Sequence, residues 1–354
     1  MDLFLPIVDE SEMHPHFKNV YRNPIFKCQR DVLTSWARGF VDRDNKFVKE
    51  FQTTFNSSFW ELYLFQLFKQ FGCSIDMNHT APDFVIQKDN QEIVVEAVVA
   101  NEAKGATPEW ATDIDNFSDF NALGDFSEFN RNAMIRLSNS ICKKHELYRH
   151  SYSALEHVKN RPFIIALAPF HAPYHYFCAD VPIRSVLYDY YVDESALLNN
   201  PQEYPDGRPP TRHLGVVQKD NGSYIPLGFF NDDQMCDVSA IIFNPIATWG
   251  KIDALSQCDD LSIVFFETIK RDNDMLIHAR IPKSQYSESI FSGLQIYHNP
   301  YATHPVQLNI FQRAEVSQCI GYLPDTDLLG YDNLSNILMF RSVFRFTPLD
   351  ALHA

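Results

Sequence analysis

The segment PDFVIQKDNQEIVVEAVV, residues 82–99, contains two apolar runs that flank the polar pair Asp89-Asn90. β-Branched residues dominate both runs, and Asp and Asn tolerate the positive φ angles of a tight turn. The segment therefore predicts a β-hairpin with a two-residue loop.

The two-residue loop fixes the register of the hairpin, so that Ile86 faces Ile93 and Asp83 faces Glu96. Successive side chains of a strand point to opposite faces of the sheet. One predicted face is apolar and suits a core: Phe84, Ile86, Ile93 and Val95. The other predicted face carries Asp83, Val85, Val94 and Glu96.

This register places the carboxylates of Asp83 and Glu96 opposite each other. Directly paired Cβ atoms lie roughly 4.5–5.5 Å apart, and like charges at that separation are destabilising. A divalent cation between them would remove the repulsion, and oxygen ligands suit Mg²⁺ or Mn²⁺. Two alternatives stay open: the register slips by one residue, or both carboxylates are solvated at the end of the sheet.

At these residues the chain resembles the PD-(D/E)xK nuclease superfamily. Pro82-Asp83 matches its first acidic element, Glu96-Ala97-Val98 matches (D/E)xK with Val98 in the place of the Lys, and Glu61 matches an acid on the preceding helix. The similarity extends over roughly residues 55–170. It implies a restriction-endonuclease-like core, Asp83 and Glu96 as ligands of Mg²⁺ or Mn²⁺, and DNA or RNA as substrate.

The missing motif Lys directs attention to other lysines. Residues 130–158 have helical patterning, with a stripe that contains Ile141, Lys144 and Tyr148 at three- and four-residue spacing. A Lys in a core-facing position is costly unless it meets an acid. The resemblance allows the catalytic Lys to lie on a nearby helix, so we expect Lys144 to approach Asp83 or Glu96. Alternatively, Lys144 extends to solvent at the helix edge, and Lys104 in a loop is the next candidate.

Glu61 has two interpretations. If the apolar helix of residues 58–71 begins at Ser58, Ser58 and Glu61 form a capping box and Glu61 only satisfies backbone N–H groups. If the helix begins earlier, near Thr53, Glu61 turns toward neighbouring elements and can serve as a third catalytic acid.

Composition sets limits on the function. The 354-residue chain has a net charge of −15, which opposes tight, autonomous nucleic-acid binding. Three alternatives stay open: a small basic cleft, a nucleic acid held by a protein partner or a second copy of the chain, or a substrate that is not nucleic acid. Seven scattered cysteines without a CxxC pair indicate free thiols. No apolar run reaches the ~20 residues of a membrane span, and the N-terminus lacks a signal-type pattern. We expect a cytoplasmic protein without a membrane segment.

We expect an α/β (α+β) fold with a mixed central sheet flanked by helices. The predicted division is a helical N-terminal part at residues 1–55, a nuclease-like core at 56–195 and an α+β extension at 196–354, whose strands form an appendage or extend the first sheet. The leading functional hypothesis is a metal-dependent nuclease that uses Glu61, Asp83, Glu96 and Lys144. The alternatives are a catalytically inactive, partner-binding subunit and a metal-free hydrolase that uses the paired carboxylates.

Overall fold

The structure of the protein, a computed structural model, describes residues 1–111, 126–257, 262–273 and 275–346. The helices within these ranges are α1 Pro15–Arg22, α2 Lys27–Trp36, α3 Phe47–Thr53, α4 Phe55–Phe71, α5 Phe126–Leu147, α6 Val181–Tyr188, α7 Glu194–Asn199 and α8 Trp249–Leu255. The strands are β1 Ser74–Asp76, β2 Phe84–Lys88, β3 Gln91–Val99, β4 Phe163–Ala168, β5 Tyr191–Val192, β6 Thr211–Arg212, β7 Val216–Gln218, β8 Tyr224–Pro226, β9 Ala240–Phe243, β10 Ile263–Asp272, β11 Met275–Pro282, β12 Gln295–His298, β13 Ser317–Tyr322, β14 Leu329–Tyr331 and β15 Ile337–Phe346.

The predicted hairpin is β2 and β3, in the predicted register. Ile86 pairs with Ile93, and the ladder runs from Lys88–Gln91 to Phe84–Val95. Its two loop residues both adopt positive φ, 48° at Asp89 and 64° at Asn90. This conformation matches a turn whose twist suits the two strands, which explains why a short polar pair fixes the whole register.

The hairpin belongs to a mixed sheet with the strand order β1-β2-β3-β4-β9-β12-β13-β14. β3 and β4 are parallel, with Glu96 beside Ile165, and β4 is in turn parallel to β9. β4 is buried along its whole length, as expected for a parallel strand with both faces covered. The α/β (α+β) class and the mixed sheet flanked by helices are therefore confirmed.

Two apolar layers cover the sheet. On one face α4 contributes an almost entirely apolar surface that packs on Phe84, Ile93 and Ile164, and Trp60 Nε1 donates to the carbonyl of Ala166 over 2.9 Å. On the other face α5 packs against β3 and β4. The hairpin residues alternate between these two layers, so both faces are interior and the acids near Phe84 lie between α4 and α5.

The C-terminal part divides between two sheets. β9, β12, β13 and β14 extend the first sheet, whereas β10, β11 and β15 form a separate three-stranded sheet. The division expected at residue 195 therefore does not separate two sheets. Between β12 and β13, Leu308–Phe311 forms a 3-10 helix. The helix predicted for residues 130–158 ends at Leu147 and continues as one π-helical turn, Tyr148–Tyr152.

Candidate active site

A cleft of about 490 Å³ opens between α4 and α5, at the open end of the hairpin opposite its loop. Its wall includes Glu61, Asp83, Val98, Arg136, Lys143 and Lys144. Three of the four residues singled out from the sequence thus border one cavity, and the fourth, Glu96, is buried beside Lys144. The sheet supplies two acids, α4 supplies the third, and α5 supplies the cations.

Asp83 is held by the neighbouring strand. It lies one residue before β2, and its Oδ2 accepts a hydrogen bond of 2.7 Å from the backbone N–H of Ala97. Burial raises the pKa of the Asp83 carboxyl, while the Ala97 hydrogen bond and the charges of Lys144 and Arg43 lower it. Burial prevails, so the carboxyl is fixed in position but poorly solvated.

Glu96 and Lys144 form a direct ion pair. Lys144 Nζ lies 2.6 Å from Glu96 Oε1, and the Tyr152 hydroxyl donates to the same oxygen over 3.3 Å. Only 4% of the Glu96 side chain and 20% of the Lys144 side chain are exposed, so water screens the pair weakly. The expected approach of Lys144 to the acids is therefore observed, and the alternative in which Lys144 extends away to solvent is wrong; its catalytic role stays a prediction.

Glu61 does not cap its helix. α4 begins at Phe55 with Thr54 before it, so Ser58 and Glu61 lie beyond the first turn and the capping-box interpretation is wrong. Glu61 instead lines the cleft beside Asp83. The earlier start was the alternative in which Glu61 turns toward neighbouring elements, and that is the arrangement observed.

The acids repel one another through a medium that solvates them poorly. Burial, followed by the charge of Asp83, raises the pKa of Glu61 to about 8, and the same two causes raise the pKa of Glu96 to about 7 despite Lys144. Shifts of this size from burial and neighbouring like charges are common at catalytic sites. At neutral pH the cluster can therefore hold and exchange protons.

The residues fit a divalent ion with few protein ligands. Glu96 Oε2 is buried and has no hydrogen-bond partner within the described ranges. A bound cation would satisfy that oxygen and offset the charge of Asp83, which after burial is the next cause that raises the pKa values of Glu61 and Glu96. No group of three His, Cys, Asp or Glu side chains that could hold a metal by itself occurs in the described part of the chain. Mg²⁺ often uses only one or two carboxylates and keeps several waters, so a site with two acids would be compatible with it.

Sequence reasoning missed the other polar residues of the cleft. Arg136, Ser140 and Lys144 repeat every four residues along α5, and Lys143 lies beside them. This spacing puts them on one side of the helix, a signal that was available once Lys144 had been selected. Arg136 is tethered by hydrogen bonds from its guanidinium to the carbonyls of Asn101 and Glu102.

The remaining candidates from the sequence do not contribute a cation. Val98 lines the cleft but is apolar, and Lys104 is exposed and absent from the residues that line the cavity. The expectation of free thiols is wrong at Cys28, which is disulfide-bonded, although five other cysteines are free. The seventh, Cys258, lies outside the described residues.

In the described parts of the chain, no helix combines the length and the apolar character needed to cross a membrane. A scan against protein-family models found no family that matches, and searches of curated proteins and of solved structures found no match. The resemblance to PD-(D/E)xK nucleases therefore rests on Glu61, Asp83, Glu96 and their spacing, and the function is a proposal argued from the site.

Proposed function

We propose that this protein is a metal-dependent phosphodiesterase that hydrolyses nucleic acid, with Asp83, Glu96, Glu61 and Lys144 as its catalytic residues. One observation carries the proposal: Lys144 on α5 reaches Glu96 on β3 over 2.6 Å, next to a cleft that Asp83 and Glu61 also line. The chain thus brings together three acids and one Lys although its (D/E)xK position holds Val98.

Each residue has a role that follows from its surroundings. Asp83 and Glu96 would hold Mg²⁺ or Mn²⁺, which when bound activates water and stabilises charge on the phosphate. Lys144 donates hydrogen bonds toward the charge that develops in the transition state. Glu61, whose raised pKa lies near neutrality, exchanges a proton with water in the cleft.

The charge distribution of α5 suits a phosphodiester. The chain as a whole is acidic, yet Arg136, Lys143 and Lys144 place three cations on one wall of the cleft. Phosphate contacts supply most of the affinity for a nucleic-acid backbone, and a local basic surface is sufficient for them. The cations of α5 therefore supply a local basic surface for a phosphate on a chain that is acidic as a whole.

A cleavage assay tests the proposal. Wild-type protein would be incubated with single- and double-stranded DNA and RNA in Mg²⁺, in Mn²⁺ and in chelator. We expect metal-dependent cleavage that Asp83→Ala and Glu96→Gln abolish. Glu92→Gln is the matched control, because Glu92 is an exposed acid on the same strand and should not affect the rate.

The outcomes separate the alternatives. Cleavage that persists in chelator and depends on the two carboxylates would favour metal-free acid–base hydrolysis. If the wild-type protein cleaves none of these substrates with either metal, the proposed nuclease activity is refuted. The alternative of an inactive, partner-binding subunit is then favoured.

A further inference from the structure

A second pocket lies next to the cleft, on the neighbouring side of α4. It encloses about 180 Å³. Aromatic side chains form most of its wall: Phe55, Phe59, Trp110, Phe170, Tyr176 and Trp249. Pockets for drug-sized ligands usually measure about 300–1,000 Å³, so this volume suits a single ring system.

The pocket also contains a small polar group. Glu109 Oε1 accepts hydrogen bonds from His16 Nε2 and from Asn56 Nδ2, each over 2.7 Å. Burial would raise the pKa of Glu109, but the bonds from His16 and Asn56 outweigh it and hold the pKa below its usual value. The carboxylate is therefore ionised, and its oxygens are hydrogen-bond acceptors that suit N–H groups of a ligand.

The aromatic pocket and the cleft share two elements. On α4, Asn56 and Phe59 line the pocket, whereas their chain neighbours Ser57 and Trp60 line the cleft. On the segment after β3, Asn101 borders the cleft, and Trp110 borders the pocket. Consecutive residues of a helix point about 100° apart, so the two sites lie on adjacent sides of α4. A continuous ligand with a phosphate in one site and an aromatic ring in the other would pass from one side of α4 to the next.

We propose that the aromatic pocket binds an unpaired nucleobase of the strand whose phosphate lies in the cleft, so that the substrate is single-stranded nucleic acid. This inference rests on the proposed function and specifies its substrate. Bases in single strands are bound by stacking on aromatic side chains, while cations follow the phosphates. The carboxylate of Glu109 favours bases that carry an exocyclic amino group, because such a group donates a hydrogen bond.

The test compares two labelled oligonucleotides of equal length in chelator, one with bases and one built only of abasic sugars. Fluorescence anisotropy measures their binding to wild-type protein and variants. We expect the base-containing strand to bind at least about tenfold more tightly, and Trp110→Leu to remove that advantage, since stacking on an aromatic side chain contributes this much per base. Tyr224→Leu is the matched control, because Tyr224 is an exposed aromatic residue outside the pocket.

Glu109→Gln provides a second variant with a smaller change in volume. It should reduce the preference for adenine, guanine and cytosine over uracil while leaving the affinity for the abasic strand unchanged. Unfolding curves of both variants establish that they are folded.

The remaining outcomes distinguish the pocket from the proposed function. Equal binding of the two strands, or a Trp110→Leu variant that behaves as wild type, would overturn the inference even if the cleavage assay succeeds. If neither strand is bound or cleaved, calorimetry with nucleoside monophosphates decides: binding that requires Trp110 supports a base pocket without the nuclease, and its absence overturns the pocket. If tetramethylammonium binds more tightly than the nucleoside monophosphates, the inference of a base pocket is also overturned, because the pocket would then recognise a cation.

Discussion

Asp180 and Glu96 are buried equally, with 4% and 3% of their surfaces exposed, but their pKa values move in opposite directions. Burial would raise both. At Asp180 the two guanidinium groups of Arg184 and Arg271, at 2.9 and 3.4 Å, outweigh burial and lower the pKa. At Glu96 one ammonium group competes with burial and with the charge of Asp83, and the pKa rises to about 7.

The two carboxylates also differ in the volume of the empty space beside them. The void beside Asp180 measures about 10 Å³, whereas the cleft next to the Lys144–Glu96 pair measures about 490 Å³. A buried acid that is neutralised by neighbouring cations and closely packed has a structural role. A buried acid with excess negative charge beside an open cleft is able to bind a cation, so charge balance distinguishes the two better than burial does.

The largest effect expected from this comparison is on stability. Arg184→Met leaves Asp180 buried with one partner fewer, and breaking a buried ion pair in this way costs about 3–5 kcal/mol. Lys144→Met should cost much less near pH 6, because Glu96 can take up a proton when its partner is removed. Urea unfolding of both variants measures the difference, and equal losses would show that the two clusters are equivalent.

The second effect is on the reaction. Lys144→Met should keep the fold and reduce the rate of metal-dependent cleavage by about 10²–10³, the usual result of removing a donor to developing charge. Lys159→Met is the control, because Lys159 is an exposed Lys that pairs with Glu156 on the surface. Cleavage by Lys144→Met at the wild-type rate would exclude Lys144 from catalysis.

The third effect is metal binding without turnover. Mn²⁺ at a hundredfold excess over its dissociation constant should stabilise the wild-type protein by about 2.7 kcal/mol. Glu96→Gln should remove the increase in melting temperature, and Glu92→Gln should preserve it. A melting temperature that does not respond to millimolar Mn²⁺ would favour the alternative of a catalytically inactive, partner-binding subunit.

The smallest effect is the pH dependence of the metal-free protein. Glu61 has a pKa of about 8 in the folded state and an ordinary, lower value when unfolded, so between these values the folded state holds the extra proton. Stability therefore falls as pH rises through that window, by at most about 1.4 kcal/mol per pH unit for one proton. Glu61→Gln should reduce the slope between pH 6 and pH 8 and leave the part that Glu96, with its pKa of about 7, contributes, as measured by urea unfolding in chelator. An unchanged slope would mean that Glu61 is already ionised in the folded protein.

Local patterns allowed the hairpin to be predicted, because its register depends only on Asp89, Asn90 and the alternation of nearby side chains. Lys144 could be predicted from its helical stripe, since a Lys among apolar positions requires an acid. The sequence could not decide between the two interpretations of Glu61, because the orientation of its side chain depends on where α4 begins. Helix starts are poorly defined by sequence. The aromatic pocket was missed entirely: His16, Asn56 and Glu109 meet only through tertiary packing.

The hairpin, α5 and β4 are synthesised in that order, and this order has a consequence for the nascent chain. The hairpin can close as soon as Val99 is available, because its contacts are local and such contacts form quickly. Lys144 follows Glu96 by 48 residues, an interval of roughly 2–10 s at about 5–20 residues per second. Until then the two hairpin acids remain without their ammonium partner, so the nascent chain must keep them hydrated, protonated or bound to a cation before β4 docks beside them.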